Sequence, residues 1–184
     1  MPIKLFFLLI IVFFQQENCV RGENKPEIIN KTVTFGTRKA TNRKIDVIII
    51  HSVYNASGGE QYDVDLIIRQ FEKYKVCAHY LVDRDGKIIQ LVNESNIAFH
   101  AGVSQLPDGS AGINSRSIGI EIVTSHTETP TEVQMTATAS LVKEIQSRYN
   151  IKYVLRHSDI APERKTDPWN MDWESFLSLI KENA

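Results

Sequence analysis

"IDVIIIH", residues 45–51, constrains the fold more than any other stretch of this 184-residue chain. A strand that faces water on one side alternates apolar with polar residues, whereas a run so rich in isoleucine fits a strand buried on both faces. Such a strand needs partners in a sheet and cover above and below it. The rest of the chain supplies both. After Asp63, residues Val64, Ile67, Ile68, Phe71 and Tyr74 recur on one side of a helix. "AHYLVDRDGKIIQLV" (78–92) reads as two strands joined at Asp85-Gly86, a hairpin turn signal. "SIGIEIV" (117–123) is a further strand, with Glu121 its one charge. Thr129 and Glu132 have capping-box spacing ahead of a helix reaching about Tyr149. From Asp172 onward, Trp173, Phe176, Leu177 and Ile180 share a last helical face. Strands alternating with helices predict an α/β fold, a single domain whose central mixed β-sheet is flanked by α-helices. Strand order is not legible at this stage.

The chain's start follows a different logic. Lys4 and the apolar run Leu5–Phe14 in "MPIKLFFLLIIVFF" are too short for a membrane helix, which needs about 20 residues. A charged start, a short apolar core and then polar residues describe a secretory signal peptide over residues 1–22, cut near Gly22. A lipid anchor on Cys19 is the competing reading, opposed by the polar residues Gln16, Glu17 and Asn18 before it. The expected destination is the periplasm or the extracellular space, with no transmembrane helix in the mature chain. Cleavage leaves Cys77 as the one cysteine, so no intramolecular disulfide forms and Cys77 is expected to be a small buried hydrophobe. Residues 23–43 are polar and without period, an N-terminal arm before a domain at 44–184. A net charge of −1 gives no electrostatic pull toward nucleic acid, and a monomer is expected.

Chemistry is concentrated near strand ends. His51 closes the first strand, while His157 and Asp167 lie in "RHSDIAPERKTDPW", a loop leaving the apolar run Tyr153–Leu155. A catalytic zinc takes about three His or carboxylate ligands and keeps a position for water. No sequence-local signature such as H-E-x-x-H is present, so spacing alone leaves each histidine open to a structural role; His79, His100 and His126 share that ambiguity. Ser52 and Ser158 adjoin histidines, which raises a serine hydrolase, but no G-x-S-x-G elbow exists and neighbouring strand residues point to opposite faces.

Taken together, "IIIHS", "AHYLVDRDG", "FHAG", "NSRSIGIEIV" and "RHSDIAPERKTDPW" resemble, in order and spacing, the zinc-dependent N-acetylmuramoyl-L-alanine amidases of the type-2 family. That family includes bacterial muropeptide amidases, phage amidases and animal peptidoglycan-recognition proteins, and the likeness covers about Ile45 to Trp169. It implies one zinc held by His51, His157 and Asp167. It also implies Glu121 as general base or proton shuttle and Lys165 facing the developing oxyanion. Ala78 stands where some phage members carry a catalytic tyrosine, consistent with a subtype that relies on glutamate. His79 and His100 are assigned to the cleft wall, Asn114 to the peptide stem and Arg116 to a stem carboxylate. Gly112 stands where cytoplasmic muropeptide amidases carry a basic residue, which leaves recognition of diaminopimelate open. The implied reaction is cleavage of the amide between the lactyl group of N-acetylmuramic acid and L-alanine, on peptidoglycan or muropeptides. A recognition module of the same fold, binding without cutting, is the alternative; it would typically lack a metal ligand.

Overall fold

The computed structural model describes residues 25–181; the expected signal segment and Cys19 lie outside them. Two short strands, β1 (Ile28–Asn30) and β2 (Thr37–Arg38), precede the long β3 (Val47–Val53). Then follow α1 (Val64–Tyr74), β4 (Tyr80–Val82), β5 (Ile88–Gln90), β6 (Ile97–Ala98) and β7 (Ser117–Val123). The described residues close with α2 (Glu132–Arg148), β8 (Tyr153–Arg156), the single turn α3 (His157–Ile160) and α4 (Trp173–Lys181). Among the described residues, six strands form one mixed sheet in the order β1-β5-β4-β7-β3-β8, while β2 and β6 pair as a separate antiparallel ribbon. Only the β4–β5 hairpin is antiparallel within the large sheet; its other ladders are parallel.

Every residue of β3 is buried, as its sequence demands. Because successive side chains of a strand point to opposite faces, Ile48 and Ile50 join Ile118, Ile120 and Ile122 of β7 in a core beneath α2 and α4. Val47 and Ile49 point the other way, toward Ile113 and Ile160, and farther along that side Val53 and Val123 meet Ile67 and Phe71 of α1. Among the described residues, no helix is long and apolar enough to cross a membrane.

Three local readings need correction. The supposed arm enters the sheet: Ile28–Asn30 pairs in parallel with Ile88–Gln90, in a strand too short for periodicity to reveal. The helix α2 is capped by Thr131, paired with Gln134 in a capping box, rather than by Thr129 with Glu132. Tertiary bonding sets that frame, because the buried Gln134 amide donates to the carbonyls of Val82 (3.2 Å) and Val123 (2.9 Å) at two strand ends. Tyr74, expected on the inner face of α1, is exposed beside the left-handed cap at Lys75. Cys77 is buried as expected; burial pushes its thiol up to about 12.

Candidate metal centre and active site

Pairing between β3 and β8 runs as far as Ile50 opposite Arg156, so the next residue on each strand is a histidine. These are His51 and His157, the latter opening α3. The loop then returns on itself: the Ser158 amide donates to the Asp167 carbonyl at 2.9 Å, which brings the Asp167 side chain back beside His157. Nδ1 of His51 lies 2.8 Å from Nδ1 of His157 and 3.4 Å from Oδ2 of Asp167, and His157 Nδ1 is 3.0 Å from the same oxygen. All three residues are buried. The site sits toward the carboxyl ends of parallel strands, the usual location for ligands in open α/β sheets.

The protonation pattern tests whether a cation fits. His157 Nε2 faces the Ala101 carbonyl at 3.3 Å, and a carbonyl only accepts, so that nitrogen carries a hydrogen. In the neutral ring, His157 Nδ1 then presents a lone pair to a carboxylate oxygen and to another imidazole nitrogen. Acceptors converging without a hydrogen between them repel unless a cation sits among them. Bonds of about 2.0–2.1 Å to a tetrahedral zinc separate ligand atoms by about 3.3–3.4 Å; the His51–Asp167 spacing of 3.4 Å matches, while the two contacts of His157, 2.8 and 3.0 Å, are shorter. Burial depresses His51 to about 4, outweighing the influence of the Asp167 carboxylate beside it, so the ring is neutral and able to ligate. Burial pushes the Asp167 carboxyl up, but its close contacts with the His157 and His51 imidazoles override that and hold it well below the usual carboxylate range. The residues fit a zinc ion.

Glu121 occupies the β7 position directly opposite His51 in the parallel ladder, so the two side chains share one face of the sheet. Its Oε2 is buried and has no hydrogen-bond partner among the described residues. Burial, reinforced by the negative charge of Asp167 and partly offset by Lys165, pushes Glu121 up to about 8. A carboxyl poised near neutrality beside a metal group suits proton transfer. Lys165 is half-buried, anchored by its backbone amide to the Ala161 carbonyl at 2.9 Å, and its charge acts on both Glu121 and His51.

The four residues expected to meet substrate all have internal partners. His79 is wholly buried, accepting from the Gly119 amide at 3.0 Å, and so does not line a cleft wall. His100 lies 2.9 Å from His51 Nε2 and 3.0 Å from the Ser117 hydroxyl. Asn114 Oδ1 accepts from the amides of His100 (3.1 Å) and Ala101 (2.8 Å). Arg116 forks onto the buried Asp46, at 2.7 and 2.5 Å, near the amino ends of β3 and β7 and away from Glu121. Ser52 accepts from the Trp169 amide at 3.2 Å, and the neighbouring His51 has both nitrogens engaged elsewhere, which removes the basis for a serine hydrolase.

Sequence reasoning passed over Arg43 and Ser117. Arg43 lies in the supposed arm, but its guanidinium donates to the carbonyls of Asn96 and Ser117 beside His79, and burial lowers it to about 10. Ser117 had a legible signal. In "SIGIE" every second residue departs from isoleucine, which marks Ser117, Gly119 and Glu121 as one special face.

The chain is similar to known proteins. The profile of the Amidase_2 family, N-acetylmuramoyl-L-alanine amidase, matches residues 41–170. The chain is 40% identical over 113 residues to 1,6-anhydro-N-acetylmuramyl-L-alanine amidase AmpD of Escherichia coli K12, covering 60% of this chain and 61% of that one. The matched stretch thus spans less than two thirds of that relative. N-acetylmuramoyl-L-alanine amidase AmiD of the same organism is 36% identical over 186 residues, 90% of this chain and 64% of AmiD. The crystal structure of a Se-Met AmpD derivative superposes with a TM-score of 0.69 at 26% identity, covering 85% of this chain and 95% of that one. AmiD of E. coli in complex with anhydro-N-acetylmuramic acid-L-Ala-D-gamma-Glu-L-Lys gives 0.63 at 31% identity, over 77% and 60% of the two chains. With the profile spanning most of the chain, the protein belongs to the Amidase_2 family of N-acetylmuramoyl-L-alanine amidases.

Proposed function

We propose that this protein is a zinc-dependent N-acetylmuramoyl-L-alanine amidase, cutting the amide between the lactyl group of N-acetylmuramic acid and L-alanine in peptidoglycan or its muropeptide fragments. The observation that carries the reading is the convergence of His51, His157 and Asp167 on one point, with the Glu121 carboxyl on the same face and its Oε2 without a hydrogen-bond partner among the described residues. The muropeptide bound to the related AmiD supports the substrate class.

His51, His157 and Asp167 would hold the ion, which when bound lowers the pKa of water and polarises a carbonyl. Glu121, raised toward neutrality by burial, accepts a proton at its carboxylate and returns it to the departing alanine nitrogen. The Lys165 ammonium offsets the negative charge that grows on the carbonyl oxygen, an interaction stronger in the transition state than in the ground state. Residues 1–22 fit an export signal, so the substrate would be met in the periplasm or outside the cell. Retention of a full ligand set with Glu121 and Lys165 favours cleavage over recognition alone.

The test is digestion of intact sacculi and of soluble muropeptides, with fragments identified by mass. New amino-terminal alanine with uncut sugar chains is the expected signature. New reducing ends without free alanine amines would overturn the proposal.

A further inference from the structure

His100 and Ala101 sit between two metal-ligand histidines and the strand β7, and their hydrogen bonds form a chain with a single consistent direction. The Ile113 carbonyl can only accept, so the Ser117 hydroxyl spends its one hydrogen on it, at 2.7 Å. Toward His100 Nε2, 3.0 Å away, the same oxygen must therefore accept, which places the ring's proton on Nε2. With its proton on Nε2, the neutral imidazole offers a bare Nδ1. His51 Nε2, at 2.9 Å from that nitrogen, then donates, and its own proton is fixed on the side away from the metal group. His51 Nδ1 is left with a lone pair aimed at His157 and Asp167.

The next residue does the same for the second histidine. The Ala101 carbonyl holds the proton of His157 on Nε2, while also accepting from Arg164 Nη2 at 2.9 Å. Both amides of the pair are fastened by Asn114 Oδ1. Gly119 makes room for the arrangement: a Cβ there would lie 2.5–2.7 Å from three atoms of the His100 ring.

We propose that His100 is a positioning residue for the metal, locking His51 in its ligating tautomer through the chain Ile113–Ser117–His100–His51, with Ala101 serving His157 in parallel. Resting on the reading of His51 as a metal ligand, the proposal gives His100 and Asn114 a role distinct from substrate contact. It also explains why a glycine stands in the middle of β7, where a strand normally keeps a side chain to pack.

The test measures zinc affinity of metal-free protein by chelator competition, with the visible spectrum of the cobalt-substituted form as a second readout. His100→Leu should weaken zinc binding by about 10–100-fold, the usual cost of losing such an outer partner. His100→Asn, which can place an amide oxygen near the lost Nδ1, should recover most of that affinity. Gly119→Ala should mimic His100→Leu by displacing the ring without altering it. Thermal melts of the metal-free variants establish that each is folded. Wild-type affinity in both His100→Leu and Gly119→Ala would overturn the proposal, as would His100→Asn being as weak as His100→Leu. If the wild-type protein itself takes no zinc, the proposed function fails first.

Discussion

The two faces of β3 and β7 are built from the same strands and do opposite work. On the face under α2 and α4, Ile48, Ile50, Ile118, Ile120 and Ile122 form a continuous apolar layer. On the other, the same strands present His51, Ser117, Gly119 and Glu121. On that second face Val47, Ile49, Val53 and Val123 still pack in apolar clusters, so the site occupies only part of it. Burial does the converse work on each: it is the source of stability on the isoleucine face, and on the other it shifts carboxyl and imidazole groups from their ordinary ionisation. His51 and Glu121 inherit the rigidity of two central strands, while His157 and Asp167 are placed by the turn and loop that follow β8.

The largest effects should come from breaking the ligand set. His51→Ala or His157→Ala leaves two donors of three, and both zinc content and amide hydrolysis should fall to background, measured on the same preparations. Either variant retaining stoichiometric zinc and activity would show that the convergence of these groups has another cause. Next come Lys165→Ala and Glu121→Gln, which leave the ligands alone. Each should keep zinc and lose about 100–1,000-fold in kcat, with little change in KM, because the interaction removed exists mainly in the transition state. Near-normal turnover in both zinc-loaded variants would dissolve the distinction between holding the metal and doing the chemistry.

The isoleucine face should answer differently. Ile120 is fully buried, so Ile120→Ala leaves a cavity and should cost about 2–5 kcal/mol of stability by denaturant titration. The folded fraction should still bind zinc as tightly as wild type. Loss of zinc affinity in protein shown to be folded would mean that the two faces are mechanically coupled.

How much of this was legible follows the same division. β3 and β7 are long and strongly patterned, and the turn at Asp85-Gly86 has specific chemistry, so each was readable from local sequence. β1 escaped because three residues carry too little period. The cap of α2 was misread by two positions because Gln134 answers to strand-end carbonyls that no local pattern reveals. In the site, His51, His157 and Asp167 were marked by motif order, yet their convergence depends on the β3–β8 register and on the loop closing through Ser158. Arg116 was misjudged for the opposite reason: its partner, Asp46, lies 70 positions away in sequence.

The smallest expected effect is a pH dependence that only one of the faces can produce. In metal-free protein, Glu121 has its carboxyl raised from 4.5 to about 8, by burial first and by the charge of Asp167 second. A carboxyl raised on folding binds its proton more tightly in the native state. Its favourable contribution is therefore complete below the unfolded value near 4.5 and is lost progressively as pH rises through about 8. The depressed His51 works in the other direction: its contribution is present above the ordinary histidine value of 6.5 and lost as pH falls through about 4. Comparing metal-free wild type with Glu121→Gln removes what the histidines contribute to both. Relative to the variant, wild type should lose stability steadily between about pH 4.5 and 8 and then level off. Ile120→Ala, measured in the same way against wild type, should show no such trend, because no titrating group on its face is altered. A flat difference for Glu121→Gln across that window would mean that the glutamate is ordinarily ionised, and that the second face is no more desolvated than open surface.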